Sequence, residues 1–259
     1  MKTSTYEKSI AAPSQRQRYH GLILQQGTLP LHPNRTFDRT TEHRCTTSLI
    51  WPEHSPPGSK NTIIIDPCFT ATGYQYAQKQ LKTLDISFKD LGYIFITHRH
   101  IDHVLTLPEK KKHPYFQKES TLLLPDIDVI PCPGHAPDLQ ALVFRSTSNE
   151  QVWVVGDAIL NLRWLNAWQY YWPNVYTSQQ VVQTWNSIAQ ILSQADMIIP
   201  GHGEQFYITA ALLTTLLETF PSAEYARECP EVEPLLRQRQ QQLLEHEAQS
   251  HATFSGQTE

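Results

Sequence analysis

The stretch Thr97-His98-Arg99-His100-Ile101-Asp102-His103 decides how this chain is read. It sets three imidazoles and a carboxylate within six residues, directly after the apolar run Tyr93-Ile94-Phe95-Ile96. A short apolar run of that kind predicts a buried strand, so the donors fall at the strand's mouth. Neutral imidazole and carboxylate are the ordinary ligands of zinc and its neighbours, and a cluster of them held at a strand end points to metal binding.

Three later segments repeat the design. Ile130-Pro131-Cys132-Pro133-Gly134 leads to His135, Val152 to Val155 with Gly156 leads to Asp157, and Ile198-Ile199-Pro200-Gly201 leads to His202. Strand ends hold side chains rigidly about a point, and the adjacent glycines allow tight turns and close backbone approach. His98, His100, Asp102, His103, His135, Asp157 and His202 are more donors than one tetrahedral zinc uses, which predicts two ions. Three imidazoles suffice for one ion, an imidazole pair and a carboxylate for the other, with a second carboxylate joining them. His20, His32, His43, His54, His113, His246 and His251 stand in no such setting and read as surface or loop residues.

Working outward, Tyr19 to Gln25 and Cys45 to Trp51 read as strands separated by a long excursion. Thr62 to Ile65 reads as a strand ending at Asp66, and Thr72 to Leu84 as a helix leading towards Tyr93 to Ile96. Strand, helix, strand is the alternation of a layered α/β domain. Strands are expected at Thr121 to Leu124, Asp128 to Ile130, Leu139 to Phe144, Gln151 to Val155 and Met197 to Pro200, and helices at Ser178 to Gln194, Ile208 to Phe220 and Glu231 to Glu247. The chain divides near residue 115 into two sheet-forming halves that share the metal site. Residues 1–18 are expected to be a flexible lead-in, 19–247 a single catalytic domain with a C-terminal helical extension, and 248–259 a disordered tail.

Composition narrows the class. With 259 residues the chain buries a substantial core, and a net charge of −4 from 21 basic and 25 acidic side chains leaves no nucleic-acid footprint. Lys110-Lys111-Lys112 reads as a solvated face. No apolar window approaches a membrane span and none follows the start as a signal segment would, so a soluble, cytoplasmic protein is expected. Cys45, Cys68, Cys132 and Cys229 form no paired-cysteine motif and read as isolated core thiols, with Cys132 alone expected near the chemistry. The run from Ala158 to Pro173, with Trp164, Trp168, Tyr170, Tyr171 and Trp172, has two readings: a wall of the substrate pocket, or packing in the core or across a homodimer.

Asp66, the His-x-His-x-Asp-His motif at 98 to 103, Pro133-Gly134-His135, Gly156-Asp157 and Gly201-His202-Gly203 together resemble the metallo-β-lactamase fold superfamily of hydrolases, in its members with dinuclear sites. The resemblance spans about Cys45 to Phe206. It implies an αββα sandwich, two facing mixed β-sheets flanked by helices, with the site at one edge. It also implies that His98, His100 and His135 bind one ion, that Asp102, His103 and His202 bind the other, that Asp157 bridges them, and that Asp66 supports the loop without being a ligand.

The implied activity is a hydrolase with two divalent metal ions per chain, Zn2+ ahead of iron or manganese. A metal-activated hydroxide would attack a small ester, lactone or thioester, with Asp102 and Asp157 as the catalytic carboxylates. Asp102 is the expected proton route to the leaving group, since no further histidine is assigned beside it. A phosphoesterase or nuclease is the alternative, and a non-catalytic metal-binding interaction protein the third reading. Leu160 stands where lactonases acting on acyl-homoserine lactones carry a tyrosine, with Tyr170, Tyr171 or Tyr176 as substitutes. The bridging Asp157 sets the chain apart from true β-lactamases, and the absence of a basic glutathione-binding set from glyoxalase II.

Overall fold

The computed structural model describes residues 16–104, 114–116 and 124–255, with side chains to 249. Most of the expected lead-in, the Lys110 to Lys112 run, all but Leu124 of the strand expected at Thr121, and the last residues of the expected tail lie outside the described residues.

The first half forms a four-stranded sheet in the order β1 (Tyr19–Gln25), β2 (Thr47–Pro52), β3 (Ile63–Ile65), β4 (Tyr93–Phe95). β1, β2 and β3 pair antiparallel, while β3 and β4 pair parallel. A parallel pair needs a crossover, and α1 (Ala71–Thr83) supplies it, opened by Thr70, whose side chain accepts from the Gly73 N–H. The second half repeats the plan. β5 (Ile127–Pro131), β6 (Gln140–Arg145) and β7 (Gln151–Gly156) are antiparallel, β8 (Met197–Pro200) runs parallel to β7, and β9 (Phe206–Tyr207) closes the edge.

Period-two alternation sorts the side chains into layers. Ile50, Ile63, Ile65 and Phe95 point from the first sheet onto Val129, Leu142, Phe144, Val152, Val154 and Ile199 of the second. Their neighbours on the other face, Leu49, Trp51, Ile64 and Ile94, pack against Ala77 and Leu81 of α1. On the far side, Val143, Trp153, Val155 and Ile198 pack under α3 (Ser178–Gln194), α4 (Ala210–Thr219) and the start of α5 (Val232–Ser255). Helix, sheet, sheet, helix is the αββα sandwich. Each fully buried aliphatic or aromatic side chain contributes roughly 1.5–3 kcal/mol, so the three layers of core fix the register of both sheets.

Three elements differ from the sequence expectation. A short helix, α2 (Leu162–Asn166), opens the aromatic run, capped by the Asn161 side chain accepting from the Trp164 N–H. β9 is only two residues long, too short for alternation to reveal. α5 continues to Ser255, overlapping the stretch expected to be a disordered tail, because after Pro234 the sequence holds no glycine or proline until Gly256.

Candidate metal centre

The site begins with Asp66, at the end of β3 with a left-handed φ of 45° and only 2 % exposed. Its Oδ1 accepts the Thr97 backbone N–H at 2.7 Å, and its Oδ2 accepts the Thr97 hydroxyl at 2.6 Å. The hydroxyl has a single proton and gives it to Asp66, so Thr97 Oγ1 can only accept from His98 Nδ1, 3.1 Å away. His103 Nδ1 likewise donates to Asp66 Oδ2 at 2.9 Å. In their neutral forms both rings thereby take the tautomer with a bare Nε2 turned inwards. His202 obeys the same logic from the other sheet, its Nδ1 donating to the Arg44 carbonyl at 2.9 Å. His135 is held by Tyr176, whose hydroxyl lies 3.0 Å from its Nδ1 and accepts from Asn174 Nδ2 at 3.1 Å.

The inward atoms converge. His135 Nε2 lies 2.9 Å from His100 Nδ1 and 3.2 Å from Asp157 Oδ2, with His98 Nε2 3.8 Å from that oxygen. Asp157 Oδ1 is 3.2 Å from Nε2 of both His103 and His202, which stand 3.4 Å apart, and Asp102 Oδ2 is 3.4 Å from His202 and 3.9 Å from His103. Bonds of about 2.0–2.1 Å to a tetrahedral ion separate its ligand atoms by about 3.3 Å, and these spacings bracket that value. His98 Nε2 and Asp157 Oδ1 are fully buried and take no hydrogen bond, an arrangement that is costly unless something positive lies between them. The donor set therefore fits divalent cations. His98, His100, His135 and Asp157 form one candidate group, His103, Asp157 and His202 another, and Asp157 belongs to both.

Electrostatics follow the geometry. Burial drives His98 down to about 2 and His135 down to about 4, against the pull of the Asp157 charge, so both are neutral and ready to ligate. Burial alone would also lower His103 and His202, but the Asp157 charge, joined by Asp66 at His103, reverses it and raises both. Burial opposes ionisation of Asp157, and the charges of His202, His103 and His135 overcome it, leaving the carboxyl well below its ordinary value. Asp102 is also held low: burial raises it, but the His43 hydrogen bond and the His103 and His202 charges prevail.

Each of the seven expected donors is thus gathered at one sheet edge, with Asp66 hydrogen-bonded to Thr97 and His103 behind them. Other expectations change. His43 is not an ordinary loop residue: its Nε2 sits 3.0 Å from Asp102 Oδ2 and its ring lies 5.0 Å from that of His202, so a further histidine does stand beside Asp102. Cys132 is buried in the α-helical core layer, its thiol pushed up to about 12 by burial, whereas Cys68 lies beside the ligand turn, 3.8 Å from the Ile101 carbonyl. Isolated residues in loops give no periodic signal, which is why His43 and Cys68 escaped the sequence reading.

The aromatic run divides. Trp164 and Trp168 are 1 % exposed and pack inwards, Trp168 donating its indole N–H to the Leu216 carbonyl. Tyr171 and Asn174 face the metal site instead. With Leu29, His43, Ile101, Leu160 and the ligands they line a cavity of about 290 Å³. Arg163 is not among the residues lining it and hydrogen-bonds His32. Of the three tyrosines offered for the position of Leu160, Tyr176 is the one that touches a ligand ring.

This architecture and donor set define a metallo-β-lactamase-fold protein whose histidine and aspartate centre is able to hold metal. Residues 40–118 match the family model described as the metallo-beta-lactamase superfamily. A mouse relative, metallo-beta-lactamase domain-containing protein 1, is 27 % identical over 177 residues, 58 % of this chain and 66 % of its own length. Among solved structures, one described as "a probable metal-dependent hydrolase" from Staphylococcus aureus superposes with a TM-score of 0.53 at 14 % identity, covering 74 % of this chain and 92 % of that one. A Thermotoga maritima structure assigned to the metallo-beta-lactamases gives 0.51 at 18 % identity, covering 73 % and 99 %. At such identities the two structures speak for the fold alone.

Proposed function

We propose that this protein is a dinuclear metal-dependent hydrolase, with Zn2+ as the favoured ion, that cleaves a small, uncharged ester, lactone or thioester. The observation that carries the proposal is the convergence of imidazole nitrogens and one doubly shared carboxylate at the floor of a small cavity whose walls, among the described residues, carry no lysine or arginine. His98, His100 and His135 would hold one ion, Asp102, His103 and His202 the other, and Asp157 would serve both. Cations bound there would make hydroxide available at neutral pH and polarise the electrophile's oxygen.

The chain's own groups do the rest. Leu29, Ile101, Leu160 and Tyr171 offer an apolar surface for the body of the substrate, and Asn174 offers an amide to orient its polar end. A wall without lysine or arginine among the described residues disfavours the anionic body of a nucleic acid, as does the net charge of −4. Asp102, 27 % exposed and at the cavity's edge, is the carboxylate best placed to take a proton from the attacking water and pass it to the leaving atom.

The test is elemental analysis followed by turnover of aryl acetates, simple lactones, acyl thioesters and bis-aryl phosphates. Two metal equivalents per chain and preference for the acyl substrates are expected. A fully loaded protein that cleaves only the phosphodiester, or nothing, would refute the acyl reading.

A further inference from the structure

The segment from His43 to Thr46 is stitched to the turn that carries His202. The Thr46 N–H donates to the Gly201 carbonyl at 2.6 Å, the Thr46 hydroxyl reaches the Gly203 carbonyl at 3.4 Å, and the Arg44 carbonyl takes the His202 Nδ1 proton. His43 is therefore held in place although its side chain is 40 % exposed. Its ring stands edge-on to His202 at 66° and edge-on to Tyr171 at 62°. Three imidazole nitrogens then surround one oxygen: Asp102 Oδ2 lies 3.0 Å from His43 Nε2, 3.4 Å from His202 Nε2 and 3.9 Å from His103 Nε2. His43, Asp102 and His202 also form a candidate metal-binding group of their own.

We propose that His43 is a direct donor to the second cation, alongside Asp102 and His202. This rests on the two-ion reading above and extends it. The 3.0 Å between His43 Nε2 and Asp102 Oδ2, with a His202 donor atom within 4.8 Å of both, suits atoms sharing an ion with bonds of about 2 Å. An added imidazole also has a chemical consequence: it moves the position away from the oxygen-rich sets that suit manganese and towards zinc. His43 thus sets which metal the second position selects.

The experiment titrates chelator-stripped, full-length protein with ZnCl2 against a chromogenic chelator, in the wild type, His43→Ala and His43→Gln. Circular dichroism of each apoprotein controls for folding. In His43→Ala the first equivalent should bind as in the wild type while the second weakens by about tenfold or more, and the margin of Zn2+ over Mn2+ at that position should shrink with it. Glutamine retains an N–H for Asp102 but is a poor zinc ligand, so His43→Gln should resemble the alanine variant. Full rescue by glutamine would show that His43 merely orients Asp102, and unchanged binding in His43→Ala would dismiss it altogether. A wild type that takes only one equivalent would sink the two-ion reading itself, and this proposal with it.

Discussion

At the scale of single residues, the centre is governed by where protons are forced to sit. Asp66 takes three donors, from the Thr97 N–H, the Thr97 hydroxyl and His103 Nδ1, and so dictates two ring tautomers from one carboxylate. In Asp66→Asn an NH2 would replace an accepting oxygen and face either the Thr97 backbone N–H or both the Thr97 hydroxyl and the His103 N–H, donor against donor. That variant should bind its ions about 10–100-fold more weakly, as read by chelator competition, with the αββα fold retained by circular dichroism. A pH signature follows from the imidazoles. His103 and His202 are raised and must give up protons to a cation, whereas His98, at about 2, and His135, at about 4, have none to give near neutrality. Apparent Zn2+ affinity should therefore climb as pH rises through the raised values and then level off, with proton release visible as a buffer-dependent binding enthalpy. The metal-free protein runs the other way: raised imidazoles stabilise the fold fully below about 6.5 and lose that contribution as pH rises through their folded values. A flat affinity profile between pH 6 and 8 would contradict this assignment of protons.

At the scale of elements, each sheet ends a parallel strand pair with a ligand-bearing turn, His98 after β4 and His202 after β8, while Asp66 and Asp157 follow β3 and β7 at equivalent places. The turns leave no room. A Cβ on Gly201 would come within 2.0 Å of Asp157 Oδ1 and 2.9 Å of the Gly156 carbonyl carbon. Gly201→Ala must therefore displace the carboxylate shared by both candidate groups, and should lose most bound metal along with roughly 1–3 kcal/mol of stability; metal content and a thermal melt read the two effects separately. This regularity explains what the sequence disclosed. Apolar runs leading to a ligand, through glycine in β7 and β8, mark strand ends by themselves, so β4, β7 and β8 are legible almost to the residue. His43 and Tyr176 were not, because their roles depend on a loop folding back across sequence separations of 59 and 41 residues to Asp102 and His135. The aromatic run misled in part for the same reason: composition showed that it was apolar, but only α2 sorts Trp164 and Trp168 into the core and turns Tyr171 to the cavity.

At the scale of the whole molecule, the centre is a joint between two halves. His98, His100, Asp102 and His103 come from the turn after β4 in the first sheet, and His135, Asp157 and His202 from strand ends of the second. The inner core already holds the sheets face to face through contacts such as Phe95 and Ile65 with Leu142 and Val154. The fold should thus survive loss of metal, but with like-directed lone pairs and a buried carboxylate left opposed at its edge. A cation that binds only the folded chain adds stability by mass action, about 4 kcal/mol for each site at a free concentration a thousand times its dissociation constant. In a domain of this size each kcal/mol moves the melting temperature by roughly 2–4 °C, so chelation should lower it by about 10 °C or more. The loss should be reversed by Zn2+ and be absent in Asp157→Ala, which deprives both groups of their shared donor. A melting temperature indifferent to chelator in fully loaded protein would mean that the ions do not bridge the two sheets, and that the donors gathered at this edge hold each other together by hydrogen bonds alone.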